Sequence, residues 1–128
     1  MPRVDFDANR TYNATRFSAN EAFLTGRTKV ICGFFESGQF IPVHAPPSDL
    51  VVSVRSGSGL VREGETDHHV TSGDVVFVPA ETKRGIRADE DSRLEVLLVT
   101  SPPPTDAEHE PVRRGLTEDD FEPLLTSE

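Results

Sequence analysis

Residues 38–57, Gly38-Gln39-Phe40-Ile41-Pro42-Val43-His44-Ala45-Pro46-Pro47-Ser48-Asp49-Leu50-Val51-Val52-Ser53-Val54-Arg55-Ser56-Gly57, decide how this chain folds. Two short apolar segments, Phe40 to His44 and Leu50 to Arg55, carry the β-branched and aromatic residues that suit a pleated surface. Each is closed by residues that stop a ladder: Ala45-Pro46-Pro47 after the first, Ser56-Gly57-Ser58-Gly59 after the second. The same pattern holds on both sides. Lys29 to Phe35 is an apolar strand ending at Ser37-Gly38, and Leu60-Val61-Arg62 and Asp67 to Thr71 flank Glu63-Gly64-Glu65 as a hairpin. Ser72-Gly73-Asp74 makes a further turn before Val75 to Val78, which Pro79 stops; Gly85-Ile86-Arg87 and Leu94 to Val99 complete the series. Short strands at close intervals with turn residues between them predict an all-β barrel or sandwich.

The flanks read differently. In residues 1–27, Val4 and Phe6 alternate with polar neighbours as a short edge strand would, and Ser18-Ala19-Asn20-Glu21 offers a cap and an acidic first turn for a brief helical segment. Pro102-Pro103-Pro104 ends the strand series. Beyond it, Thr105 to Glu128 is an acidic tail with a few apolar residues (Leu116, Phe121, Leu124 and Leu125), and Thr117-Glu118-Asp119-Asp120 can cap one helical turn. The expected organisation is an N-terminal extension over 1–27, a barrel over 28–101 and a tail over 102–128. The tail either docks on the barrel, docks on a partner subunit, or is disordered.

A chain of 128 residues supports one domain with a real core. No apolar stretch approaches the ~20 residues of a membrane span, and Met-Pro-Arg-Val-Asp-Phe-Asp has no apolar run after its Arg. The expectation is a cytoplasmic protein that does not meet a membrane. A single cysteine, Cys32, excludes an intramolecular disulfide and a multi-cysteine zinc site. It lies in an apolar run and reads as a small hydrophobe rather than a reactive thiol. The net charge of -9 argues against binding phosphate backbones, so no nucleic-acid partner is expected. Only Lys29 and Lys83 among thirteen basic residues are lysines. That acidic, arginine-rich balance fits a salt-loving microbe, or an ordinary acidic protein from a GC-rich genome.

Two segments carry a resemblance. Gly38 through Gly57 resembles the first cupin motif, G-x5-H-x-H-x3-E-x6-G, and Gly73 through Ala88 resembles the second, G-x5-P-x-G-x2-H-x3-N. Spacing fits at every position across about residues 28–100. The chain thus looks like a small single-domain cupin of the conserved-barrel (cupin 2) type, and the resemblance implies a jelly-roll, double-stranded β-helix barrel and a homodimer. In family members that hold a metal, three histidines and a carboxylate converge inside the barrel. Here those four positions read His44, Pro46, Leu50 and Arg84. One imidazole cannot hold a divalent ion, and a permanent guanidinium charge repels it. No metal or other cofactor is therefore expected, unless Asp49, Glu81, His68 or His69 supply ligands from other directions. His68 and His69 are adjacent on a strand, so at most one faces the interior. Glu81 and Ala88 also replace the motif's glycine and asparagine, and His109 in the tail is expected to be solvent-exposed.

Period-two alternation that points His44 inward carries Phe40 and Pro42 with it, and the next inward set is Leu50, Val52 and Val54. With Val76 and Val78 these residues would line an apolar pocket in which His44 and Arg84 form a cationic spot. The binding residues expected are His44, Arg84, Leu50, Phe40, Val52 and Val78, and the ligand a small carboxylate with an apolar body. Alternatively Arg84 turns outward to pair with Glu81 or Asp49. Arg55, Arg62 and Arg87 read as solvated strand residues. Three functional readings follow: a metal-free small-molecule-binding domain; an enzyme, either an oxygenase with substitute ligands or a metal-free isomerase using His44 as acid or base; or a structural or regulatory barrel with a filled core.

Overall fold

The computed structural model describes residues 2–123; Leu124 and Leu125, named above as apolar residues of the tail, lie outside them. Eight strands and one helix follow in chain order: β1 (Ser18–Leu24), β2 (Lys29–Phe35), β3 (Phe40–His44), β4 (Asp49–Glu63), β5 (Thr66–Thr71), β6 (Val75–Val78), β7 (Arg84–Ala88), β8 (Leu94–Ser101) and α1 (Glu110–Glu118). All pairings are antiparallel, in the order β1-β2-β8-β4-β7-β3, with β5 and β6 also on β4. The chain is an all-β barrel with one short helix.

β4 organises the barrel because its two halves serve two sheets. Asp49 to Gly57 pairs with β8, and Leu50 to Ser53 also with β6. Ser58 to Glu63 pairs with β5, and Gly59 to Glu63 also with β7. The expected stop at Ser56-Gly57-Ser58-Gly59 is instead a bend within one continuous strand. Gly57 sits at φ +85°, and a Cβ there would lie 1.8 Å from the Arg93 carbonyl oxygen. Only glycine lets the strand turn this corner, just after a bulge at Arg55, so the turn residues bend the strand rather than end it.

Alternation along the strands builds the core. Leu50, Val52 and Val54 of β4 are buried beside Leu94, Val96 and Leu98 of β8, with Val61, Val78, Ile86 and Phe35 completing the cluster. Cys32 is buried, and burial pushes its thiol upward, so it packs as a hydrophobe.

The N-terminal expectations need correction. Residues 7–9 form a 3-10 turn and Val4 and Phe6 form no strand; the Phe6 ring instead packs on Phe34 at 5.1 Å. Ser18 to Leu24 is a strand, not a helical turn, because the open edge of β2 offers it a ladder that local propensity does not. The preceding segment straps the outer face through Glu95, 5% exposed, which accepts hydrogen bonds from Arg10 Nε at 2.6 Å, Arg10 Nη2 at 2.9 Å and the Tyr12 hydroxyl. Those donors, Arg10 foremost, hold the Glu95 carboxyl below its ordinary range.

The tail, through Pro123, docks on the barrel. Its helix starts earlier than the sequence suggests, with Pro111 in the first turn, and Thr117 to Asp120 ends it, Asp119 taking a left-handed φ of 54°. Gly115 brings α1 onto β3 so closely that a Cβ would lie 2.5 Å from Pro42 Cβ. After the helix, the Phe121 carbonyl accepts from Val43 N at 2.7 Å, and the Phe121 ring packs against Phe40 and under the Arg87 and Arg62 guanidinia. Arg62 also pairs with Asp67 and Glu122, and Arg55 lies over the Phe6 ring. Arg55 and Arg87 are exposed, as expected of strand residues facing water, and Arg62 is half-buried; each guanidinium also lies over an aromatic ring.

Candidate functional site

A cavity of about 430 Å³ opens between the two sheets and is covered at one end by the tail. From β3 and β7 come Ile41, His44, Arg84 and Ile86. From β2, β8 and β4 come Lys29, Ile31, Leu98, Thr100 and Leu50, while Pro104, His109, Val112 and Leu116 close it.

β-Pairing explains who faces inward. Ile41 pairs with Ile86 and His44 with Arg84, so three residues of β3 span two of β7. The extra residue is a bulge at Pro42-Val43, and it breaks the expected alternation. Ile41 therefore shares the inner face with His44. Phe40 pairs with Arg87 on the opposite face, where it meets Phe121 at 5.7 Å, and it does not line the cavity. Val52 and Val78 are fully buried in the core but form none of the cavity wall. Leu50, His44 and Arg84 do line it.

His44 is 8% exposed, and its Nδ1 lies 2.9 Å from the Pro42 carbonyl. Only a protonated nitrogen can bond a carbonyl oxygen, so Nδ1 carries the hydrogen and Nε2 keeps its lone pair for a ligand. Burial above all, opposed by the bond to Pro42 and aided by Arg84 and His109, holds the imidazole at about 4. The ring is neutral at pH 7.

Arg84 is 3% exposed. Its Nε donates to the Thr82 carbonyl at 3.3 Å and its Nη2 to the Pro79 carbonyl at 2.9 Å. Neither Glu81 nor Asp49 pairs with it: the Asp49 carboxylate instead accepts from Ala80 N at 2.9 Å. Nη1 is buried with no hydrogen-bond partner, and so is Thr100 Oγ1. Burial lowers the guanidinium to about 10, with Asp49 opposing, which leaves it charged at pH 7. Glu81 fills the motif's glycine position and keeps a glycine's backbone at φ 65°.

His109 departs from expectation. It is half-buried, lines the cavity, and its ring centroid lies 6.4 Å from that of His44. Burial, then Lys29 and Arg113, lower its pKa. His68 pairs with Glu63 at 3.1 Å and His69 is exposed; neither reaches the cavity. Among the described residues no three His, Cys, Asp or Glu side chains converge as a metal site. The residues at the four motif positions do not fit a divalent ion: one imidazole, a proline, a leucine and a charged guanidinium. Thr100 and Lys29 were missed, although Leu94-Val96-Leu98-Thr100 and Lys29-Ile31-Gly33 each step by two along a strand.

No sequence-family model matches the chain, and no curated protein matches it in sequence. Solved structures do. The TT1209 protein of Thermus thermophilus superposes with a TM-score of 0.78 at 28% identity, covering 81% of this chain and 100% of its own. An RmlC-like cupin from Desulfovibrio desulfuricans gives 0.71 at 25% identity, covering 80% and 98%. An uncharacterised conserved protein with a double-stranded β-helix domain, from Klebsiella pneumoniae, gives 0.73 at 17%, covering 80% and 90%. With its β4-centred double sheet and inward-facing motif positions, the chain has the cupin fold, a double-stranded β-helix barrel.

Proposed function

We propose that this protein is a small-molecule-binding cupin domain whose cavity takes a small carboxylate on Arg84 without a metal. The observation that carries this reading is a buried guanidinium with no salt-bridge partner and an unbonded Nη1, on a residue that lines the cavity. A buried cation without a salt bridge is costly, and a carboxylate supplies both the charge and short charge-assisted hydrogen bonds. Ile41, Ile86, Leu98 and Leu50 suit an apolar body beside that carboxylate. His44 offers Nε2 as an acceptor to a ligand hydroxyl. Thermal denaturation with formate through hexanoate tests the proposal: the melting temperature rises with the aliphatic acids, and Arg84→Met abolishes the rise. A rise that survives in Arg84→Met sinks it.

A second reading rests on His44 itself. His44, with a free Nε2 beside an anion-binding guanidinium, is placed to take a proton from carbon next to the bound carboxylate, and the bound carboxylate would raise its lowered basicity toward what a metal-free isomerase requires. Exchange of that hydrogen in heavy water, lost in His44→Gln, distinguishes an enzyme from a binding domain. For a homodimer, β6 pairs with β4 alone and exposes Val75 and Phe77, an open edge that a second copy would cover. Sedimentation of wild type against Phe77→Lys checks it.

A further inference from the structure

The charge lining the cavity runs against the charge of the chain. The chain holds 22 acidic residues against 13 Lys and Arg, yet the wall carries Arg16, Lys29, Arg84, Arg113, His44 and His109 with no Asp or Glu. These groups are not gathered at one spot. Arg84 and His44 are cross-strand partners on β7 and β3. On the facing sheet, Lys29 of β2 pairs with Thr100 of β8, which pairs with Leu50 of β4. Directly opposed residues share a face of a sheet, so all three point toward the cavity they line. Lys29 is half-buried and makes no ion pair with any described residue, and its neighbour Thr100 holds a buried hydroxyl without a partner. The same wall carries the apolar side chains of Ile31, Leu98, Ile41 and Ile86.

We propose that the ligand is an aliphatic dicarboxylate, one carboxylate held by Arg84 and the other by the Lys29 ammonium and the Thr100 hydroxyl. This rests on the carboxylate-binding reading of the same cavity and adds a second pole to it. Two orphaned polar atoms on opposite sheets would then be satisfied by one molecule. The separation of the two poles sets the length of the chain joining the carboxylates, which makes length the basis of selectivity.

Calorimetric titration at fixed ionic strength with butyrate and with succinate, glutarate and adipate tests this. One dicarboxylate should bind at least about tenfold more tightly than butyrate, as a second charge-assisted contact implies. Lys29→Gln should bring that dicarboxylate to the affinity of butyrate while leaving butyrate within about twofold, and Lys29→Arg should restore most of the difference. Thr100→Val should weaken the dicarboxylate alone. Equal binding of butyrate and all three dicarboxylates, lost together in Arg84→Met and untouched by Lys29→Gln, would overturn the second pole and leave the carboxylate site standing. No binding of any of the four acids would overturn both.

Discussion

His44 and Arg84 are cross-strand partners on β3 and β7, and both are buried on the inner face of the barrel. A permanent cation beside an imidazole explains part of why His44 stays neutral, although burial is the larger cause. It also gives the pair one chemical character: a positive charge without a salt bridge beside a neutral acceptor.

Removing the charge should separate stability from binding. Arg84→Met deletes a buried guanidinium that makes no salt bridge, while the freed carbonyls belong to Pro79 and Thr82, in a segment open to water. The ligand-free variant should melt no lower than wild type by calorimetry, and should lose the stabilisation by carboxylates.

His44 makes stability pH-dependent with a definite sign. Its folded value, about 4, lies below the ordinary 6.5, so unfolding takes up a proton between them. The stabilising effect of the neutral buried ring is complete above pH 6.5 and is lost as pH falls toward 4, by about 3 kcal/mol in all. Urea denaturation from pH 7.5 to 4 should show this loss, and His44→Gln should flatten it. A carboxylate bound on Arg84 should raise the His44 value, measurable by NMR.

Glu81 occupies a left-handed conformation where the motif has glycine. A non-glycine residue is disfavoured there by roughly 1 kcal/mol. Glu81→Gly should raise stability by about that amount in chemical denaturation, without altering the cavity.

Gly115 controls the cover. A side chain at this point meets Pro42 at once. Gly115→Leu should lift α1 from β3, weaken carboxylate binding and expose 105–123 to limited proteolysis, at a cost of about 1–3 kcal/mol. Unchanged binding would show that Val112, Leu116 and His109 form no necessary part of the site.

Protein purified without a metal-affinity tag should contain iron, zinc, manganese and nickel far below one atom per chain. Stoichiometric metal would require ligands other than the residues at the motif positions.

The barrel was legible because strand and turn grammar is local: Pro79, Gly73 and Ser37-Gly38 end or join strands wherever they stand. Motif spacing brought His44, Leu50 and Arg84 to one cavity. Phe40 was misplaced because a bulge shifts everything before it by one residue. Pro42, inside a strand, was the available sign, since proline in a ladder marks an edge or a bulge. Gly57 misled for a related reason, as a glycine that bends a strand resembles one that ends it. The cover was not legible. The docking of α1 depends on Gly115 meeting Pro42 and on Phe121 meeting Phe40 and Arg87, contacts between residues far apart in sequence. His109 entered the cavity wall only through that docking.

The most direct measurement follows the Arg84 guanidinium itself, by 15N–1H NMR during titration with butyrate. Saturable shifts of the Arg84 Nη signals, with a midpoint equal to the calorimetric Kd, are the predicted result. Calorimetric binding with those signals unmoved would place the carboxylate elsewhere and contradict an Arg84-centred site.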